Sequence, residues 1–254
     1  VGGAWAMIDE GELFAGNDNI GTDTKVTFDG KSGASRGDQF SSFPSIDMVL
    51  TKETAYLATL KGIYAVNRAG NAKASKELPK LSKEEGDLVK SIKTIRERHK
   101  TAAKANKAEE LAEINAELNI ATARLASIGK EKAALSAGRV TWFISREQLG
   151  PLPVAGEIGT LALAGKTLLA GGNGYVLSLN SGNGQLISMY GLLGNALGLA
   201  VADGRLFVST DSGAIHCLGE QPVEGKPRKF TETAKSIELA QAETAGAGEI
   251  KMRS

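Results

Sequence analysis

The sequence predicts an all-β fold: a partial β-propeller of about four four-stranded blades, with an inserted, coiled-coil-like α-helical hairpin and a polar C-terminal tail. Three observations predict it. One short pattern is written twice between Gly165 and Leu218, as Ala164–Leu179 and again as Asp203–Leu218. Each copy has a Gly turn, a strand of apolar and small residues, another Gly turn and an alternating strand, and the glycines Gly165 and Gly204 lie about 39 residues apart, a blade period. A long Ala/Lys/Glu-rich tract with helical periodicity then interrupts an earlier copy, and a strand that completes that copy follows the tract.

Taken in order, Trp5–Asp9 and Glu12–Gly16 alternate as strands around a Glu10-Gly11 turn, and Lys25–Asp29 is a third strand. Asn17–Thr24 reads as a loop, and Gly30–Asp38 is polar and carries no strand signal. Ile46–Leu50, Thr54–Thr59 and Ile63–Val66 repeat the scheme, with turns at Lys52-Glu53 and Gly62. A fourth strand is due after Gly70 and does not arrive.

From Asn71 to Gly138 the composition is helical. Ser82 with Glu85 fits a capping box, and Pro79 just upstream is expected to stop any earlier helix. Leu88, Ile92, Ile95 and His99 recur at helical spacing, as do Leu111, Ile114, Leu118, Leu125 and Ile128, with the stripe fading between Ala102 and Ala108. Gly129 and Gly138 are the expected terminators, giving two antiparallel helices of roughly 20 residues, each about 30 Å long. Gly138–Ser145 is then the missing outer strand, in register with the later copy Gly184–Gly191. Gly150–Pro153 is a rigid connector; Glu157–Ala164, Lys166–Gly171, Tyr175–Leu179 and Gln185–Tyr190 make a full blade, and Asn195–Leu218 gives three strands of a last one. The domain reading is therefore blades over 1–70, hairpin over 71–138, blades over 139–218, and a linker or tail over 219–254 with a short helix near Ala234–Ala242.

Leu168–Gln185 and Asp203–Leu218 resemble the PQQ-like, or quinoprotein-like, propeller repeat, a class that includes outer-membrane assembly lipoprotein propellers. Ile63–Asn67 matches its alternating strand and Trp142 its outer-strand Trp, whereas Ser188 stands where the next Trp is due. The resemblance implies a repeat scaffold in a periplasmic or cell-envelope protein. In the resembling dehydrogenases a calcium ion and acidic side chains meet the quinone beneath a vicinal disulfide, and the single cysteine, Cys217, excludes that disulfide.

The remaining candidates give no catalytic, cofactor or metal residue. His216 and Cys217 are adjacent in a strand and face opposite sides, so Cys217 is expected as a small buried residue. His99 lies on a packed helical stripe. Asn17-Asp18-Asn19 lacks the further oxygen ligands of a calcium loop. Gly171–Gly174 has no helix after it to make a phosphate cradle and reads as a strand turn. The 254 residues are 42% hydrophobic and 23% charged with net charge +1, which gives no global pull toward nucleic acid or anionic membrane, and no apolar run reaches transmembrane length. The chain opens on Val1 with no basic-then-apolar segment, so a processed product or an internal fragment of a longer protein is expected.

The function expected is a non-catalytic, protein-binding or scaffolding module with an unidentified protein partner, no nucleic acid and no membrane insertion. Its arm would carry Lys90, Lys93, Lys100, Lys104 and Lys107, followed by Glu109, Glu110, Glu113 and Glu117. The rival reading is an accessory domain of an enzyme whose catalytic part lies outside this chain.

Overall fold

A computed structural model describes residues 5–16, 26–149 and 157–219. They form three antiparallel β-sheets and two long helices. The first sheet takes β1 (Trp5–Asp9), β2 (Glu12–Gly16), β3 (Val26–Asp29) and β4 (Ser35–Asp38) in chain order. The second takes β5 (Asp47–Leu50), β6 (Thr54–Thr59), β7 (Gly62–Asn67) and β8 (Val140–Ser145), again in order. Between β7 and β8 run α1 (Arg68–Lys104) and α2 (Ala108–Ala137). The ladder closes across their feet, with Ile63 opposite Ile144, Ala65 opposite Trp142, and Asn67 N donating to Arg139 O at 2.8 Å.

The third sheet holds β9 (Ile158–Ala164), β10 (Thr167–Asn180), β11 (Leu186–Ala202), β12 (Arg205–Thr210) and β13 (Ile215–Leu218), in the order β13-β12-β11-β10-β9. β10 doubles back on itself. Extended, its 14 residues would separate their ends by about 46 Å, yet Ser181 N donates to Lys166 O at 2.9 Å. In the second sheet the bond from Arg68 N to Glu53 O, also 2.9 Å, closes the β6–β7 hairpin in the same way. The fold-back falls at exposed Asn173 and at Gly174, whose φ of 80° a side chain would resist. β11 likewise serves two neighbours: Leu186–Gly191 lies along the return arm of β10, and Ala196–Ala202 pairs with β12.

The apolar faces left by strand alternation pack the sheets together. Phe14 and Phe40 meet Met48, Leu57 and Val66 in one core. Tyr56, Ile63 and Ala65 meet Leu161, Leu168, Tyr175 and Leu177 in the next. Each Val, Leu, Ile, Phe or Met among them stabilises by about 1.5–3 kcal/mol when fully buried. Polar bonds fix the second seam: Leu161 N donates to Asp47 Oδ2 at 2.6 Å, and Trp142 Nε1 and Tyr56 Oη both donate to Ser181 O, at 2.9 and 3.2 Å.

Several expectations are corrected. Ser35–Asp38 is a strand, because Arg36 reaches across β3 to β2 and ties Asp29 and Glu12 together. The helices are 37 and 30 residues long, about 55 and 45 Å, because α1 begins at Arg68. Its cap is Asn67, whose Oδ1 accepts from Gly70 N at 2.6 Å. Pro79 stands inside α1 and stops nothing, Ser82 and Glu85 are mid-helix, and Gly129 lies within α2; Gly138 is the C-cap. Cys217 is exposed, since it pairs with Phe207 on the outer face of the last sheet. Trp142 is half-buried, with its ring against Gly184 of the neighbouring sheet. The Asn17–Asn19 loop, the Gly150–Pro153 connector and the tail beyond Gly219 lie outside the described residues.

Candidate functional site: the helical arm

The arm stands on a polar, buried footing. Arg68 Nη1 donates to Asp9 Oδ2 at 2.6 Å and to Thr51 O at 2.7 Å, joining α1 to the first two sheets. Buried Asn71 donates through Nδ2 to Gln39 O at 2.6 Å and accepts from Arg139 Nε at 3.0 Å. The Arg139 guanidinium lies 4.8 Å from the Phe43 ring centre, and desolvation there lowers its pKa. Gly70 is required at this foot, because a Cβ would meet Gly138 O at 2.1 Å.

Above the footing the helices pack on each other. Ile92, Ile95 and Ala102 of α1 meet Ile114 and Ala121 of α2, with Leu88, Leu111, Leu118 and Leu125 half-buried around them. None of these residues belongs to a sheet core. Charges lock the register. Arg124 bridges Glu84 at 2.7 Å and Glu131 at 2.7 Å, Lys132 reaches Glu85 at 2.6 Å, and Arg98 reaches Glu117 at 2.8 Å. The hydrogen bonds from Arg124 to Glu84, and from Ser127 and Arg124 to Glu131, hold both carboxyls below the usual range.

The two flanks of this helix pair differ. On one, Val89, Ile92 and Leu125 floor an open groove of about 460 Å³ that also touches Lys93, Arg96 and Lys100. Val89 is 52% exposed there, and Lys100 is held by Glu97 at 2.8 Å. Lys93 and Arg96 have no acidic partner among the described residues. Of the other expected arm residues, Lys90 sits 3.6 Å from Asp87 and Lys107 2.9 Å from Glu110. Sequence reasoning found the basic run and missed Val89, whose exposure is set by the pairing of α1 with α2. Among the described residues, large apolar side chains are also exposed on the last sheet: β11 has no charged residue, and Leu197 of β11 and Ile215 of β13 are 61% and 71% exposed.

His216 and Cys217 point to opposite faces; His216 Nε2 is buried without a hydrogen-bond partner among the described residues. His99 is half-buried on the arm. Gly171–Gly174 is the fold-back of β10. Among the described residues no three His, Cys, Asp or Glu side chains gather as a metal site, and no helix is long and apolar enough to cross a membrane.

Comparison with family models and with curated proteins finds no match. Among solved structures the chain is similar to the computationally designed Ika4 protein, at 9% identity and TM-score 0.43, over 84% of this chain and 88% of that one. It is also similar to BamB from Moraxella catarrhalis, at 15% identity and TM-score 0.43, over 84% of this chain. The chain spans 45% of the length of that BamB chain.

Proposed function

We propose that this chain is part of a β-propeller of the PQQ-like repeat type, in a cell-envelope protein, that works as a non-catalytic scaffold presenting its helical arm to a protein partner. The repeat supports the propeller half of this reading: β6–β7 and the two arms of β10 close with the same backbone bond one repeat apart. The observation that carries the binding half is the separation of cores. Among the described residues, the apolar cluster of the arm is made by α1 and α2 alone, while the arm's base is pinned by Asn71 and Arg68. A structure whose residues fill no sheet core contributes a surface instead.

The test is excision within the longest available form of the protein: Arg68–Gly138 replaced by Asn-Gly, which suits a two-residue link between β7 and β8. Proteins captured by the intact and shortened forms are compared quantitatively. Retained β-structure with a partner lost supports the reading, and an unchanged set of captured proteins overturns it.

A further inference from the structure

From the groove on the arm, we infer the kind of partner it takes: an amphipathic α-helix with acidic flanks, laid along α1 and α2 as a third helix. This inference rests on the reading of the arm as a binding element. Each helix covers its seam from one side only, so Leu88, Leu111, Leu118 and Leu125 stay half-buried. A third helix in the flanking groove covers Leu125 and takes Val89, 52% exposed, out of water.

Charge selects the occupant. The stretch 90–107 carries seven Lys or Arg and one acidic residue, Glu97. Glu97 is already held by Lys100 at 2.8 Å, so the field at the groove is set by Lys93 and Arg96. Val89 and Lys93 are one helical turn apart and Arg96 is the next turn on, so carboxylates at the same spacing on an incoming helix, around one apolar seam, match them. A basic helix would meet like charge along this rim. The opposite flank differs: its shallow depression is lined by Lys80, Lys83, Glu84, Asp87 and Leu88, with both signs interleaved.

The experiment titrates the full chain against a labelled peptide of about three heptads, with Leu at the seam positions and Glu at the flanks, followed by fluorescence anisotropy. A Lys-for-Glu version is the charge control. The acidic peptide is expected to bind about tenfold or more tighter than the basic one, and Val89→Asp and Arg96→Glu each to weaken it about tenfold. Lys83→Glu, on the other flank, should leave affinity unchanged. Equal binding of the two peptides, or indifference to both groove variants, overturns the inference. So does binding to phosphatidylserine vesicles that Arg96→Glu abolishes while the peptide does not bind, since the groove would then serve a lipid surface. Excising the arm separates the two levels. Peptide binding lost on excision but unaffected by Val89→Asp and Arg96→Glu overturns the groove alone, whereas binding retained without the arm removes this basis for both readings.

Discussion

The second sheet and the helical arm share a chain connection at Asn67 and Arg139, yet they are held together by different means. In the sheet, apolar residues from strands far apart in sequence interlock across a seam, as Ile63 does with Leu168 and Tyr175. In the arm, contacts come from one neighbouring helix, and ion pairs on the surface fix the register. The difference teaches that an insertion can be long and ordered without entering the host's core. What links the regions is polar: Asn71 to Gln39 and Arg139, and Arg68 to Asp9.

The largest expected effect comes from cutting each core once. Ile63 and Ile114 are both fully buried, so Ile63→Ala and Ile114→Ala should each cost about 3 kcal/mol. Both tryptophans lie in sheet strands, Trp5 in β1 and Trp142 in β8. Tryptophan fluorescence therefore follows the sheets, and helical circular dichroism follows the arm. Ile63→Ala should lower the fluorescence transition, and Ile114→Ala the dichroism transition alone. A common shift of both signals in both variants would break the comparison.

Equal in size, but confined to one seam, is Trp142→Ala. The ring contacts Tyr56 at 6.0 Å between centres, and its Nε1 bonds Ser181 O. The substitution should cost about 3 kcal/mol, low among large aromatics because the side chain is half-buried. An unchanged denaturation midpoint would show that this seam does not depend on the outer strand.

Acid sharpens the contrast in another way. The carboxyls of Glu84 and Glu131 titrate below their usual value in the folded arm, so their contribution is present above the unfolded carboxylate pKa. It is lost as pH falls through the lowered folded values. Thermal unfolding of the arm should therefore shift down below about pH 4, and Arg124→Met should flatten that dependence. A pH profile identical with and without Arg124 would show the network to be inert.

Much of the sheet scaffold was legible because it rests on local alternation: Glu12–Gly16 and Thr54–Thr59 were read with the bounds they have. β4 was not, since four polar residues carry no apolar period and are held by Arg36 reaching two strands away. The start of α1 was hidden by Pro79 and by a false cap at Ser82, although Asn67 three residues before Gly70 was a true one. Of the candidate site, the basic stretch was visible. Which flank it shares with Val89 depends on the rotation of two helices about their seam, and that is tertiary information.

The smallest expected effect tests whether the sheet core is as complete as its burial implies. Tyr175 is fully buried, and among the described residues its hydroxyl has no hydrogen-bond partner. Burial raises its pKa, as it must for a phenol whose anion would be poorly solvated. The ring is needed: it fills the seam beside Leu168 and Leu177, and it sits where a Cβ on Gly172 would fall, 2.4 Å from its Cζ. The oxygen is not needed, and an unpaired buried hydroxyl costs about 1–3 kcal/mol in protein interiors. Tyr175→Phe keeps the ring and removes that cost, less the small gap left behind. It should therefore be neutral or stabilising by up to about 1 kcal/mol. The arm offers no equivalent, because its buried seam residues are all aliphatic. Measured by chemical denaturation, a Tyr175→Phe loss above about 1 kcal/mol would mean the hydroxyl is satisfied, and the seam between the second and third sheets would be wetter than its packing implies.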